Sequence, residues 1–569
     1  MSGPWWKTLN GYMWWVLIVA ALGWVFDVVD QRIFVLSRGP ALDDLLSVEL
    51  EESELNTKTA AEIAALLGVE PGAEPATEEV ILRRVEDVGE DIVVLRDPEP
   101  EKVKIEEPAA GTRARPAIIL PPAEPGGKPR RFSFVRPADA PGRVRIAPDR
   151  SRNELIGRIA TAIFLAGWAT GGLVFGVLGD RWGRARTMML TILVYSVFTG
   201  LSALSVTWVD YSVYRFLTGM GVGGEFAAGA ALVAEVMPAR ARPYALGLLQ
   251  ALSALGNIMG SLIARVVLPP STPGEEWEKW RMLYVVGIFP ALLIVVIRGR
   301  LKEPERWRAV KESAGQVVGK QLGAFGDLFQ SRWRRSTYVG MTLAVTGVIG
   351  LWGIGFWTPE LIQRIVPDQP EVRTYATALQ DVGAFLGIAA IALVTEGAPR
   401  SRTLLYLGGL AVCATAAAAS VFQGGGSPGS AAATAWLGVT LSGVGYFLLA
   451  LLGTVTGGLG RRSSFVLSFI LAFLATIMVF RYMTRPEQVY WMTPLLGFTT
   501  LLCFGMYAIY FPELYPTRLR TTGTGFCYNV ARYIAAGGLI LLGYIGTMLE
   551  LRISTQIFAL IYFVGIAAA

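Results

Sequence analysis

Stretches of about twenty residues almost free of charge recur along the whole chain, each roughly as long as a helix must be to cross a hydrocarbon core at 1.5 Å per residue. About fourteen can be drawn, near 11–37, 155–178, 186–207, 210–236, 243–268, 281–298, 336–358, 376–396, 403–422, 432–456, 463–480, 490–511, 523–547 and 553–569. The ninth and the last are short and the least marked. Of 569 residues, 53% are hydrophobic and 17% charged, and mean hydropathy is +0.46. That is not the profile of a soluble core of this length, and the expected fold class is an all-α polytopic membrane protein.

The charges fix an orientation. Lys and Arg gather after the second run (Arg181, Arg184, Arg186), after the fourth (Arg240, Arg242), between the sixth and seventh, and after the eighth (Arg400, Arg402), tenth (Arg461, Arg462) and twelfth (Arg518, Arg520). The alternate loops, such as "VTWVD" at 206–210, are poor in base. By the positive-inside rule the basic loops and both termini are cytoplasmic, in a multi-pass protein of the cell (inner or plasma) membrane. Trp5, Trp6, Trp14 and Trp15 then read as an inner aromatic belt. No cleavable signal is visible, since the first run is too long and lacks a small-residue cleavage site. Cys413, Cys503 and Cys527 all fall inside apolar runs, as packing residues do. With no histidine, His-based metal sites and Ser-His-Asp chemistry are excluded, and proton work falls to carboxylates.

An insert at 38–153 separates the first two runs and is expected on the extracytoplasmic side. It is acidic at first and basic later. "NTKTAAEIAALLGVEP" predicts a short helix capped by Asn56 or Thr57 and ended by Gly68, and "DIVVLRD" and "EKVKIEE" predict strands. Both a small lobe and a partly ordered loop fit this pattern. Two motif matches lie in the wrong context: "GMGVGG" sits within a membrane run, and "GGSPG" lies in an outer loop of a chain without histidine. No phosphate-binding loop motif occurs, so neither an ATP site nor any cofactor or enzyme activity is expected.

A repeat carries more. Glu235, Pro238, Arg240, Arg242 and Gly247 recur at the same spacings as Glu513, Pro516, Arg518, Arg520 and Gly525. Upstream, "GVLGDRWGR" has a counterpart in "GTVTGGLGRR". Two motifs repeated in one order argue for a duplicated bundle. "GVLGDRWGR" resembles the loop signature of the major facilitator superfamily. "RFLTGMGVGGE", "LKEPERW" and "PELYPTRLRTTG" resemble further signatures of its sugar porter and organic-ion (metabolite:proton symporter) branches.

The resemblance implies two pseudo-symmetric six-helix bundles rocking about a central site. It divides the chain into an N-terminal bundle (1–37 and 154–299), a cytoplasmic linker (300–335) and a C-terminal bundle (336–569). Twelve core spans would be joined by two extra ones near 376–422, and the second loop motif has Gly457 where the first has an acid. Within that fold Asp180, Arg181, Gly183 and Arg184 are expected to form a cytoplasmic latch, with Glu235 pairing Arg242 and Glu513 pairing Arg520, and Arg461 in the second loop. The simpler alternative is that these arginines only set topology.

Charges within spans are costly, about 2.5–3.5 kcal/mol each on insertion scales. Asp27 and Asp30 share one face of the first span. Asp30 and Arg215 lie at matching depths, about 10 Å and about 8 Å below the outer ends of their spans. A carboxylate paired with Arg215 when ionised and released when protonated would couple a proton to the conformational change, and sugar porters look to use this arrangement. Asp27 is the alternative partner, Glu225 a second proton candidate, and a static buried pair the plainer option. On the thirteenth span Asn529 and Arg532 share a face near mid-depth. This resembles organic-anion members of the family, in which an arginine there is implied to meet a substrate carboxylate. Neutralisation of Arg532 by Glu225 or Asp381 is the alternative. Gln250 and Asn257 can offer hydrogen bonds to the cavity, and Trp352 and Trp357 can stack on a ring or face lipid.

The expected function is secondary active transport: proton-coupled symport of a small organic anion, such as an aromatic or aliphatic carboxylate, by alternating access. The alternatives are a sugar or polyol transporter of the same fold, or a nutrient sensor that binds without transport. The expected partners are a small-molecule substrate, a proton and the bilayer, with no nucleic acid and a monomeric state.

Overall fold

The computed structural model describes residues 5–57, 60–67, 78–82, 92–96, 104–106, 117–120, 130–135, 142–146, 150–267, 275–292, 297, 300–316, 322–366, 370–398, 400–423, 431–548 and 551–569. Helices lie on every one of the fourteen apolar runs, although the sixth, 281–298, is described only in part and its helix α9 is given to Val286. The N-terminal half contributes α1 (Gly11–Leu45), α4 (Arg150–Trp182), α5 (Arg184–Ser202), α6 (Trp208–Val236), α7 (Arg242–Ala251) with α8 (Ser253–Val267), and α9 (Glu275–Val286). After the linker helix α10 (Glu305–Gln316) come α11 (Ser331–Ile365), α12 (Pro370–Glu396), α13 (Thr403–Gln423), α14 (Ala431–Thr456) and α15 (Gly460–Tyr482). The chain closes with α16 (Pro486–Thr500), α17 (Leu502–Leu514), α18 (Arg520–Met548), α19 (Leu551–Ala559) and α20 (Ile561–Ala568). Among the described residues, eleven helical stretches are long and apolar enough to cross a membrane, which makes this a multi-pass membrane protein.

Local chemistry sets where the rods begin. The Asn10 side chain accepts from Met13 N at 2.8 Å and starts α1. Thr207 and Asp210 form a reciprocal capping box that starts α6 out of the base-poor loop. The fifth run is one span by hydropathy but two helices in fact, broken at Leu252, and the twelfth is likewise broken at Leu501.

Packing shows the duplication. In the first half α4 packs along α6 and crosses to α18 of the second half. In the second half α12 packs along α16 and α17 and crosses to α7 and α8, so α12 is the counterpart of α4. The extra pair expected within 376–422 is therefore redrawn. It is the hairpin α13–α14, residues 403–456, which lies outside α12 and α16 with Leu404 and Val412 among its highly exposed side chains.

The insert is a folded lobe. A five-stranded antiparallel sheet runs in the order β1 (Val48–Glu51), β7 (Arg143–Ile146), β6 (Arg130–Val135), β5 (Ala117–Leu120), β4 (Lys104–Glu106), with β2 (Glu78–Leu82) and β3 (Ile92–Arg96) paired separately. Alternation along the strands buries Ile118, Leu120, Phe132, Phe134, Val144 and Ile146 against Ile63, Ala64 and Leu67. Both expected strands form, although β3 pairs with β2 while β4 pairs with β5. Helix is described at α2 (Glu52–Thr57) and α3 (Ala60–Leu66), so Asn56 and Thr57 stand inside a helix instead of capping one; residues 58, 59 and Gly68 lie outside the described residues. Helix α1 also overruns its expected end at 37 and carries the lobe on its last turns. There Asp44 accepts from Trp280 Nε1 at 2.9 Å and pairs with Arg281 at 3.1 Å.

Candidate functional site

Among the described residues, three groups of polar side chains within the apolar core bring the expected site residues together. The first lies at the Arg-rich end, where α4 meets α18. Asp180 is buried, and its two oxygens accept from the amides of Thr521 (3.2 Å) and Thr522 (2.9 Å) and from Thr522 Oγ1 (2.7 Å). These amides open α18, so a carboxylate of one bundle caps a helix of the other. Arg184, also buried, pairs with Asp180 at 2.9 Å and with Glu235 at 3.0 Å, and donates to Thr517 O across the seam. Arg520 of the second half reaches Glu235 Oε1 at 3.2 Å.

The pairing within each motif copy is thus corrected. Glu235 is held by Arg184 and Arg520, while Glu513 takes the Nε and Nη2 of Arg461 at 3.0 Å each. Arg242 forms no ion pair among the described residues, although it lies within electrostatic reach of both Glu513 and Glu235. The swap follows from geometry: Arg520 sits at the first turn of α18, which faces the other bundle. Arg181 reaches the Leu322 carbonyl at 3.0 Å and, among the described residues, no carboxylate. Gly183, at φ 126°, makes the tight step from α4 to α5, and Glu303 of the linker packs against it and accepts from the amides of Ala185 and Arg186. Trp307 donates to Asp180 O at 2.7 Å. The roles of Glu303 and Trp307 were not read from the sequence, although both stand in "LKEPERW" just before and within the first turn of α10.

The second group lies inside the first bundle. Asp30 Oδ1 stands 3.5 Å from Arg215 Nη1 and accepts from Thr199 Oγ1 at 2.6 Å. Arg215 also donates to Ser202 Oγ at 2.7 Å and lies over the Tyr284 ring at 4.6 Å. Counting residues from the span ends did bring the two charges together. Asp27, fully buried, lies within electrostatic reach of Glu225, Asp30 and Arg532 and makes no ion pair with Arg215 among the described residues. Glu225 packs against Gly23, where a Cβ would come within 2.6 Å of its Oε1.

The third group straddles the seam at mid-depth. Arg532 is buried; its Nη1 donates to Tyr528 O at 2.6 Å and Asn529 Oδ1 at 3.0 Å. Its guanidinium lies 3.9 Å from the Trp168 ring centroid and 4.4 Å from that of Tyr528. Trp24 and Phe226 continue the aromatic wall, with Phe226 stacked on Tyr528 at 4.1 Å. Among the described residues no carboxylate stands within ion-pair distance of Arg532, so the expected alternatives Glu225 and Asp381 do not neutralise it. Asp381 instead accepts from Asn257 Nδ2 at 2.8 Å, across the seam between α8 and α12. Gln250 is buried, and its Oε1 has no partner among the described residues. Trp357 packs on Phe558 within the second bundle and not on this group. The side chain of Trp352 lies outside the described residues. Trp168 was missed, because a lone tryptophan in an apolar run looks like any lipid-facing one.

Two helical bundles that lock at one end over a buried, polar centre define a membrane transporter and not an enzyme. The chain belongs to the major facilitator superfamily, whose family model matches residues 152–456, just over half of it. Among relatives, a probable 4-methylmuconolactone transporter of Cupriavidus pinatubonensis is 29% identical over 431 residues, 76% of this chain and 82% of that protein. A cis,cis-muconate transport protein of Acinetobacter baylyi is 24% identical over 400 residues, 67% of this chain and 79% of that protein. The solved major facilitator proton:xylose symporter XylE, bound to 6-bromo-6-deoxy-D-glucose, aligns with a TM-score of 0.56 at 12% identity, covering 98% of this chain and 94% of that one. At that identity the likeness shows the fold alone.

Proposed function

We propose that the chain is a proton-coupled symporter of a small organic anion, an aromatic or unsaturated carboxylate, working by alternating access. The observation that carries this reading is Arg532, a fully buried cation at mid-depth held between two aromatic rings with no carboxylate in ion-pair range among the described residues. A buried guanidinium presents a planar fork suited to a carboxylate, and the rings around it suit a flat π-system. That two relatives carry names for muconate-type acids supports the same substrate class. The Asp30–Arg215 pair is the proposed coupling site: protonation of Asp30 releases Arg215, and the loss of that charge pair lets the bundle change its packing. Asp27 and Glu225, close enough to feel one another, are the accessory acids. Asp180, Arg184, Glu235 and Arg520 act as the gate at the Arg-rich end, with the protein working as a monomer.

Uptake by proteoliposomes under an imposed pH gradient tests this, with cis,cis-muconate, benzoate and xylose as probes. A charge-assisted hydrogen bond contributes about 1.5–3 kcal/mol, so Arg532→Ala is expected to lower carboxylate uptake by about 10- to 150-fold. Xylose uptake, or carboxylate uptake that survives Arg532→Ala, would overturn the substrate assignment.

A further inference from the structure

The loop joining α12 to α15 should mirror the short step from α4 to α5, yet the α13–α14 hairpin stands inside it. The two ends of that hairpin meet. Leu459 N donates to Val394 O at 2.9 Å, and a Cβ on Gly397 would stand 2.7 Å from the carbonyl carbon of Gly457. Gly397 and Gly458, at φ 84° and 107°, let the two backbones close on each other in this way. The backbone therefore passes from Val394 to Leu459 as through a continuous loop, with 403–456 hanging from it.

The residues on either side of the splice match the first loop. "GDRWGRART" places Asp180, Arg184, Arg186 and Thr187 at the spacings that "EGAPRSRT" gives Glu396, Arg400, Arg402 and Thr403. Downstream, Arg461 stands in the first turn of α15 as Arg184 opens α5. Arg461 then repeats the bonding of Arg184: its Nη1 donates to Glu396, and its Nε and Nη2 donate to Glu513, the counterpart of Glu235. The acid missing at Gly457 is thus present, 65 residues before its arginine.

We propose that Glu396 is the acid of the second gating loop, supplied across the spliced-in hairpin: the Glu396–Arg461–Glu513 relay lies within the second bundle and fastens the loop whose Gly397 carbonyl accepts from Tyr244 Oη of the first bundle at 3.2 Å, and so helps hold the Arg-rich end closed. The three side chains are 26–28% exposed, and the relay's hold comes from the bidentate fork and the shared arginine more than from burial. The assignment stands independently of the substrate and of the coupled ion.

Hydrogen–deuterium exchange of the full-length protein in nanodiscs reads it without any ligand. Two peptides matter: 457–462 beside the relay, and 176–184 in the other bundle, which shares no hydrogen bond with Glu396. Glu396→Gln is expected to speed exchange in both by about two- to fivefold, as the loss of an ion pair of about 0.5–1 kcal/mol would. Glu396→Asp, which keeps the charge, is expected to stay near wild type in both. Faster exchange in 457–462 alone would make Glu396 a local fastening and overturn the proposal, as would no change in either peptide, or equal changes in the Asp and Gln variants.

Discussion

Arg520→Ala offers the sharpest reading of the seam. Arg520 Nη1 donates to Glu235 Oε1 at 3.2 Å and its Nε donates to Pro512 O at 3.0 Å; only the first of these crosses between the bundles. Glu235 is fully buried, and the Arg520 side chain is 14% exposed. Removing one partner from a buried pair costs about 3–5 kcal/mol when the other is left alone. Here Glu235 keeps Arg184, so the share lost with Arg520 is that of one charge-assisted hydrogen bond, about 1.5–3 kcal/mol before allowance for partial exposure. About 1–2 kcal/mol is therefore taken from the closed state only, which shifts the closed-to-open ratio by about 5- to 30-fold. Pulsed dipolar spectroscopy between spin labels at Arg186→Cys and Ser463→Cys, in a Cys413→Ala background, measures it; Cys503 and Cys527 are buried and resist labelling. The variant should add a longer-distance population to the short one. Distance distributions that match wild type in both Arg520→Ala and Glu235→Gln would show that the charged seam does not set the equilibrium.

Two further outcomes follow from the same geometry. Asp30→Asn removes the titrating partner of Arg215 while keeping its shape. Accumulation driven by a pH gradient should vanish while counterflow exchange persists, and continued accumulation would place coupling elsewhere. Asp44→Ala leaves Trp280 Nε1 without its acceptor and removes the ion pair of Arg281, which keeps the carbonyls of Ala203 and Ser205, a loss of about 1–3 kcal/mol, and should speed proteolysis of the lobe and lower Tm; unchanged cleavage kinetics would mean the lobe is held by other contacts.

Much of this architecture is legible in the order of residues because its main constraint is one-dimensional. A span needs a run of apolar residues, and a basic cluster needs a side of the membrane. Helical rise alone was enough to bring Asp30 level with Arg215. What was not legible depends on which helix faces which. Each motif copy looks self-contained, with Glu235 and Arg242 seven apart, yet Arg520 is the partner because the start of α18 faces the other bundle. Glu396 escaped notice because it stands 65 positions before Arg461, so the second loop looked as if it had lost its acid. Trp168 and Glu303 were invisible for the same reason: their partners, Arg532 and the α5 amides, lie far off in sequence.

Helix α1 carries Asp27 and Asp30 and then runs on to the lobe, where Asp44 bolts it to Trp280 and Arg281 of α9. Its 35 residues make a rod about 52 Å long. Anchored to α9 at that end, the helix carries the lobe with the bundle. Rotation of the first bundle around Asp30 is therefore expected to be repeated by the folded lobe. The lobe is a pointer on a lever, and a probe fixed to it would read the state of a site buried in the bilayer.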